Sequence, residues 1–249
     1  MSSAKAIVLA AGKGSRLHSE EHILPKVLRK ANGKALLDYV LQATDFIPQN
    51  DTVLVVGYKS DLVVDHVGGQ YRIAEQVQQL GTGHAVKMAE HELRRYSGPV
   101  LVVYGDMPLF SPNTYQSLLK VHKESHAACT ILTAVLHNPP EYGRIIRDEK
   151  NEILDIREVK DCTDAEMAIK ELNSGVYVFD ARKLFSVLHE LRNDNAQGEY
   201  YLTDVPKHLL KRGDRVASYT LVGSDEVYGV NTLEELNLVE SLLKKRGIK

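Results

Sequence analysis

Leu9-Ala10-Ala11-Gly12-Lys13-Gly14-Ser15-Arg16-Leu17 follows directly from the apolar run Ala6 to Ala10. A short buried strand that runs into Gly-Lys-Gly is built to hold an anion. Gly12 and Gly14 let the backbone turn with positive φ and bring N–H groups close to a ligand. Lys13 and Arg16 add full charges beside those dipoles, a set suited to a polyphosphate. The loop is neither of the two common phosphate motifs. The P-loop has a longer spacing before its Gly-Lys, and Leu17 stands where the dinucleotide fingerprint needs a third glycine. Taken alone, the same residues also make a tight turn, so the rest of the chain has to decide.

The surrounding pattern alternates strand and helix. Strand-like runs lie at Ala6–Ala10, Thr52–Val56 and Val100–Tyr104, with helical patterns over Lys34 to Phe46, near Asp61, and over Thr82 to Tyr96. Strands that are apolar throughout, separated by crossover helices, predict a parallel sheet covered on both faces. Ligands gather at the carboxyl ends of such strands, where both the first loop and Tyr104-Gly105-Asp106 fall. From about Ala127 the pattern changes. Cys129–Leu136, Gly143–Arg147, Ile153–Glu158 and Gly175–Phe179 read as strands of antiparallel character, an insertion that resembles a substrate lid. Helices are expected over Ala181–Arg192 and Asp204–Arg212, a strand over Val216–Val222, and a closing amphipathic helix from about Thr232 to Arg246.

At 249 residues the chain is long enough for one large α/β domain. Its formal charge of −2, with both signs interspersed, gives no basic face for a nucleic-acid polymer. The apolar runs are strand-length, so no membrane span is expected, and the first strand starts too early to leave room for a signal peptide. Cys129 and Cys162 match neither a disulfide framework nor a zinc spacing, which fits reduced thiols in a cytoplasmic protein. The residues fix no oligomeric state.

Several motifs can carry chemistry, each with a bland alternative. Lys26, after Pro25, has a rigid approach to the first loop, or is a solvated lysine. Gln76-Val77-Gln78-Gln79-Leu80-Gly81-Thr82-Gly83-His84 joins a strand end to a helix start with Thr82 as N-cap. The Gln76 amide can donate and accept at a nucleobase edge, while His84 reads as structural. Asp106 ends an apolar strand, where a carboxylate needs a cation such as Mg²⁺, or merely caps the next turn. Gly143, Glu158, Asn173, Tyr201 and Thr203 lie in short motifs rich in hydroxyl and amide groups, suited to a sugar. Asn231 is an N-cap or a second metal ligand. The His18/His22 and His122/His126 pairs read as surface residues.

Together these motifs resemble the sugar-1-phosphate nucleotidyltransferases (nucleotide-sugar pyrophosphorylases), nearly end to end and in order. Leu9 to Arg16 and Pro25 to Leu28 mark the superfamily. Gln79 to Ala85, Asn195 to Asp204 and Gly229 to Asn231 are most similar to the N-acetylglucosamine-1-phosphate uridyltransferase domain of the bacterial bifunctional uridyltransferase/acetyltransferase. The resemblance implies a Rossmann-like α/β fold with a mixed, mostly parallel sheet flanked by helices and a β-rich sugar-binding insertion. It implies one domain over 1–249, with a nucleotide part to about 126, a sugar part over about 127–230, and the C-terminal helix beyond.

It also implies roles. Leu9, Ala10, Ala11, Gly12, Lys13 and Gly14 would hold the triphosphate, with Arg16 and Lys26 catalytic at the reacting phosphates. Gln76, Gly81 and Thr82 would contact uracil, and Gly105 the nucleoside. Asp106 and Asn231 would bind Mg²⁺, and Gly143, Glu158, Asn173, Tyr201 and Thr203 would hold the amino sugar. The implied partners are UTP, a sugar 1-phosphate, the UDP-sugar and pyrophosphate. A phosphate monoester has a second pKa of about 6 and is already an anionic nucleophile, so no general base is needed. Another sugar phosphate such as glucose 1-phosphate, dTTP in place of UTP, and a non-catalytic nucleotide-sugar-binding regulator are the competing readings. Two departures stand out: the Leu17–Leu24 stretch is longer than in the bifunctional proteins, and no acetyltransferase β-helix follows the last helix.

Overall fold

A computed structural model describes residues 4–14 and 24–248. In chain order these form β1 (Lys5–Ala10), β2 (Lys30–Ala31), β3 (Lys34–Ala35), α1 (Leu36–Ala43), β4 (Thr52–Val56), α2 (Ser60–Val67) and β5 (Arg72–Glu75). There follow α3 (Thr82–Met88), α4 (Glu90–Leu93), β6 (Pro99–Tyr104), α5 (Pro112–Ser125), β7 (Cys129–Val135), β8 (Arg144–Arg147) and β9 (Ile153–Arg157). The last elements are α6 (Asp164–Met167), β10 (Glu171–Asp180), α7 (Ala181–Leu188), α8 (Asp204–Lys211), β11 (Val216–Val222) and α9 (Leu233–Lys245).

The main sheet runs β11-β7-β10-β6-β1-β4-β5, with the β8–β9 hairpin branching from β10. β1 lies parallel to β4 and β6, β4 is parallel to β5, and β11 is parallel to β7. β10 runs antiparallel to both β6 and β7. The expected mixed, mostly parallel Rossmann-like α/β fold is therefore present. The second half is stitched more closely into the sheet than a lid would be: β7, β10 and β11 belong to it, and only β8 and β9 stand off.

Side-chain alternation along each central strand builds a core on each face. Ile7, Leu9, Val53, Val55, Val100 and Val102 pack on one face with Ala85, Val86, Leu184 and Val205. Ala6, Val8, Ala10, Leu54, Val56, Leu101 and Val103 pack on the other with Leu37, Val40, Tyr115 and Leu118. A smaller cluster seats Val239 and Leu243 of α9 against Ala31, Leu36 and Val230. It brings the chain end back beside the first loop's neighbours.

Local chemistry moves several boundaries. The Lys34–Phe46 helix starts only at Leu36, because Asn32 (φ 52°) and Gly33 (φ 85°) turn β2 into β3. The Thr82–Tyr96 helix divides at Ala89, whose N–H tightens onto Val86 O at 3.1 Å. Thr82 is not the N-cap: Gly81 is, and the Thr82 hydroxyl accepts from Leu202 N–H at 3.0 Å. Likewise Thr232, in a capping box with Glu235, caps α9 rather than Asn231. Helix α5 was not anticipated, although Ser111 caps it and Pro112 begins it. His122 on α5 is a correction as well: it is buried and bonded to Thr130 Oγ1 at 3.0 Å. No helix among the described residues is long and apolar enough to cross a membrane.

Candidate active site

The carboxyl ends of β1 and β6 open into two adjoining cavities. The first, of about 500 Å³, is walled by Leu9, Ala11, Gly12, Lys13, Gly14 and Lys26, and by Gln76, Gly81 and Thr82 on the far side. The second, of about 340 Å³, is lined by Gly143, Glu158, Asn173, Tyr201 and Thr203. Thr82, Tyr104, Asp106, Glu199 and Asn231 border both. The two hollows thus meet at a seam made from the end of β6 and the turn after it, the start of α3, the segment between α7 and α8, and the approach to α9.

Lys26 dominates the seam. It begins a single turn of 3-10 helix after Pro25 and is 9 % exposed, so the solvated reading does not hold. Its ammonium donates to Asn231 Oδ1 at 2.6 Å and pairs with the Asp106 carboxylate. Gly14 (φ 66°) lies directly over it, where a Cβ would meet Lys26 Cβ at 2.8 Å. The close approach and the positive φ each require glycine there.

One carboxylate and one amide oxygen from separate parts of the chain therefore converge on a single cationic position. That donor set suits a hard divalent cation, which takes a carboxylate and completes its shell with phosphate oxygens and water. No group of three His, Cys, Asp or Glu side chains is gathered for a metal among the described residues.

In the first cavity Gln76 is almost sealed, at 3 % exposure, and its Nε2 lies 3.0 Å from both Gly81 O and His84 Nδ1. The amide expected to donate and accept together already has its donors engaged. In the second cavity Thr203 Oγ1 donates to Glu158 Oε1 at 3.0 Å, and Gln197 Nε2 donates to the Tyr201 hydroxyl at 2.8 Å. Burial raises the Glu158 pKa above the ordinary carboxylate value, and Asp204, Asp161 and Glu199 push it the same way against the Thr203 bond. Asn173 sits at a register shift in β10, with Nδ2 bonded to the Tyr177 hydroxyl at 2.7 Å. Such an irregularity re-aims side chains out of a ladder.

A family model described as nucleotidyl transferase matches residues 5–228. The chain belongs to the nucleotidyl transferase family. It is 45% identical to the bifunctional protein GlmU of Levilactobacillus brevis over 246 residues, covering 99% of this chain and 53% of that protein. It is also 45% identical to the GlmU of Streptococcus sanguinis over 241 residues, covering 97% of this chain and 52% of that protein. The chain thus spans about half the length of the curated relatives it matches. Among solved structures, a UDP-glucose pyrophosphorylase complexed with UDP-glucose superposes with a TM-score of 0.75 at 17% identity, over 97% of this chain and 98% of that one. A putative glucose-1-phosphate thymidylyltransferase from Bacillus anthracis gives 0.74 at 22%, over 96% and 95%. These two likenesses show the fold.

Within this nucleotidyl transferase domain, some expected site residues fall elsewhere. Ala10 and Gly105 line neither cavity. Ala10 points into the core, and Gly105 donates to Leu9 O at 2.9 Å while packed under Val27 and Leu37. Arg16, the His18/His22 pair and most of the Leu17–Leu24 stretch lie outside the described residues. Tyr104 and Glu199, not singled out from sequence, border both cavities. Tyr104 carried a signal, as the last strand residue before Gly105-Asp106; Glu199 lay inside a motif read as a whole.

Proposed function

We propose that this domain transfers a uridylyl group from UTP to N-acetylglucosamine 1-phosphate, giving UDP-N-acetylglucosamine and pyrophosphate. The observation that carries this reading is the seam. A cavity with a Gly-Lys-Gly rim and a buried amide meets a cavity lined by hydroxyl, amide and carboxylate groups, and the junction holds Lys26, Asp106 and Asn231. The similarity to the GlmU proteins across almost the whole chain supports the choice of base and sugar.

In this mechanism the first loop and Lys13 hold the triphosphate, and Gln76, Gly81 and Thr82 hold the base. Gly143, Glu158, Asn173, Tyr201 and Thr203 orient the sugar so that its phosphate faces the α-phosphorus. An oxygen of that phosphate forms the new P–O bond, and the bond from the α-phosphorus to the oxygen bridging to the β-phosphate breaks. Pyrophosphate leaves with that electron pair, so no proton has to be moved. Lys26 and Arg16 offset the charge that builds at the reacting phosphates, and fixed alignment supplies the rest. Asp106 and Asn231 would hold Mg²⁺, which when bound supplies further positive charge to the phosphates. Both cysteines are free thiols, in keeping with a cytoplasmic setting.

Pyrophosphate release measured with UTP, dTTP, CTP, ATP and GTP crossed with a panel of sugar 1-phosphates tests the assignment. The expected preference is UTP with N-acetylglucosamine 1-phosphate. Preference for another pair would retire the sugar or base assignment. Binding of UDP-sugar with no release from any pair would replace the enzyme with a regulator.

A further inference from the structure

The amide of Gln76 can be oriented from its surroundings alone. The Gly81 carbonyl only accepts, so the Gln76 atom 3.0 Å from it is the nitrogen Nε2. The same nitrogen lies 3.0 Å from His84 Nδ1. With one hydrogen directed at each, Nε2 has none left for a ligand, and His84 Nδ1 must be the unprotonated, accepting nitrogen. Burial, with Lys87 nearby, lowers the His84 pKa and favours that neutral form. Gln76 Oε1 has no hydrogen bond among the described residues, and Gln76 lines the nucleotide cavity while itself only 3 % exposed. His84 itself does not line it. The cavity is therefore offered an acceptor by Gln76, and His84 stands behind it.

We infer that His84 is a positioning residue for base selection: by accepting from Gln76 Nε2 it keeps the Gln76 carbonyl oxygen toward the cavity, and this favours a pyrimidine with a ring N–H on its pairing edge. Uracil and thymine carry that N–H. Cytosine presents a bare ring nitrogen at the same place, and two acceptors would then face each other. An amide turned over would present Nε2 and suit cytosine instead, so the same glutamine reads either base according to what anchors it. Gly81 O and His84 Nδ1 are the two anchors, and loss of His84 leaves one. The inference rests on the reading that this cavity takes a pyrimidine nucleoside triphosphate.

The test compares the wild-type domain with His84→Asn and His84→Leu, measuring kcat/KM for pyrophosphate release with UTP and with CTP. Binding of UDP and CDP by calorimetry and circular dichroism of each variant accompany the kinetics. Asparagine returns an acceptor oxygen close to the Nδ1 position; leucine returns none. The UTP-to-CTP ratio is expected to fall roughly tenfold in His84→Leu, mostly through KM for UTP, because a buried hydrogen bond has been lost. His84→Asn is expected to keep the wild-type ratio. A purely structural role would weaken both nucleotides alike and would not be rescued by asparagine. An unchanged ratio in His84→Leu, beside a wild type that prefers UTP, overturns the inference alone. A wild type that uses no pyrimidine nucleotide overturns the underlying reading with it.

Discussion

Lys26 and Asn231, 205 residues apart in sequence, are joined by a 2.6 Å hydrogen bond from Nζ to Oδ1, and the same ammonium pairs with Asp106. Three chain segments thus meet on one charge where the two cavities join. A buried cation there is held by its two oxygen partners. Lys26→Met is expected to lower kcat by about a hundredfold or more, the scale seen when one preorganised electrostatic donor is removed. Steady-state pyrophosphate release checks this, with thermal melting to show that the fold survives. A kcat within a few-fold of wild type would take Lys26 out of the transition state.

Glu158 links function to stability. Burial holds its native pKa above the ordinary value, so the native state favours the protonated acid. Its contribution to stability is then full below the unfolded carboxylate pKa and is lost as pH rises through the higher native value. Ionising Glu158 therefore costs more in the folded chain than in the unfolded one. Glu158→Gln is expected to raise Tm by about 2–4 °C while raising KM for the sugar phosphate. Melting curves and substrate kinetics at pH 7.5 test both halves, and a lower Tm would contradict the account.

His122 gives the opposite slope. Burial pushes its pKa down to about 4, against the nearby charge of Asp180, so the folded state keeps it neutral. Stability from this group is complete above the unfolded histidine pKa of about 6.5 and is lost as pH falls toward 4. Between pH 7.5 and 5 the loss is expected to be on the order of 1–2 kcal/mol. Urea unfolding of wild type and His122→Gln at both pH values measures it, and equal pH dependence in the two would contradict it.

The loop before α3 and the segment before α8 are sewn together. Tyr200 N donates to Leu80 O at 2.8 Å, Gly83 N to Tyr200 O at 2.8 Å, and Leu202 N to Thr82 Oγ1 at 3.0 Å. Gly81 sits at φ 108°, and a Cβ there would meet Tyr200 O at 2.6 Å and Tyr200 N at 2.8 Å. Backbone atoms cannot yield as a side chain would. Gly81→Ala is expected to destabilise the fold by roughly 1–3 kcal/mol and to raise KM for nucleotide and sugar phosphate together. A change confined to the nucleotide would show that the loops act separately.

The sequence makes the central strands legible because they are buried on both faces. Thr52–Val56 reads as a strand residue for residue, and Ala6–Ala10 and Val100–Tyr104 each miss only the first residue of theirs. β10 was read as half its length. Its opening residues, Glu171-Leu172-Asn173-Ser174, depart from the apolar pattern because Asn173 and Ser174 line the second cavity. The cavity lining hid the strand. His122 was misplaced because Lys120, Lys123 and Glu124 surround it in sequence, although Tyr115 and Leu118 share its buried helical face. Most residues lining the two cavities lie in motifs that the sequence displays, whereas the Lys26–Asn231 bond is a long-range fact, and the engagement of the Gln76 donors by Gly81 and His84 depends on how the intervening loop folds.

The most direct test of the central claim is product identification. The domain is incubated with UTP labelled at the α-phosphate, N-acetylglucosamine 1-phosphate and Mg²⁺, and the products are separated and weighed by mass spectrometry. The account predicts that the label moves into UDP-N-acetylglucosamine, with one pyrophosphate released for each molecule formed. Label remaining in UTP, or appearing in free UDP or UMP without the sugar, would contradict it.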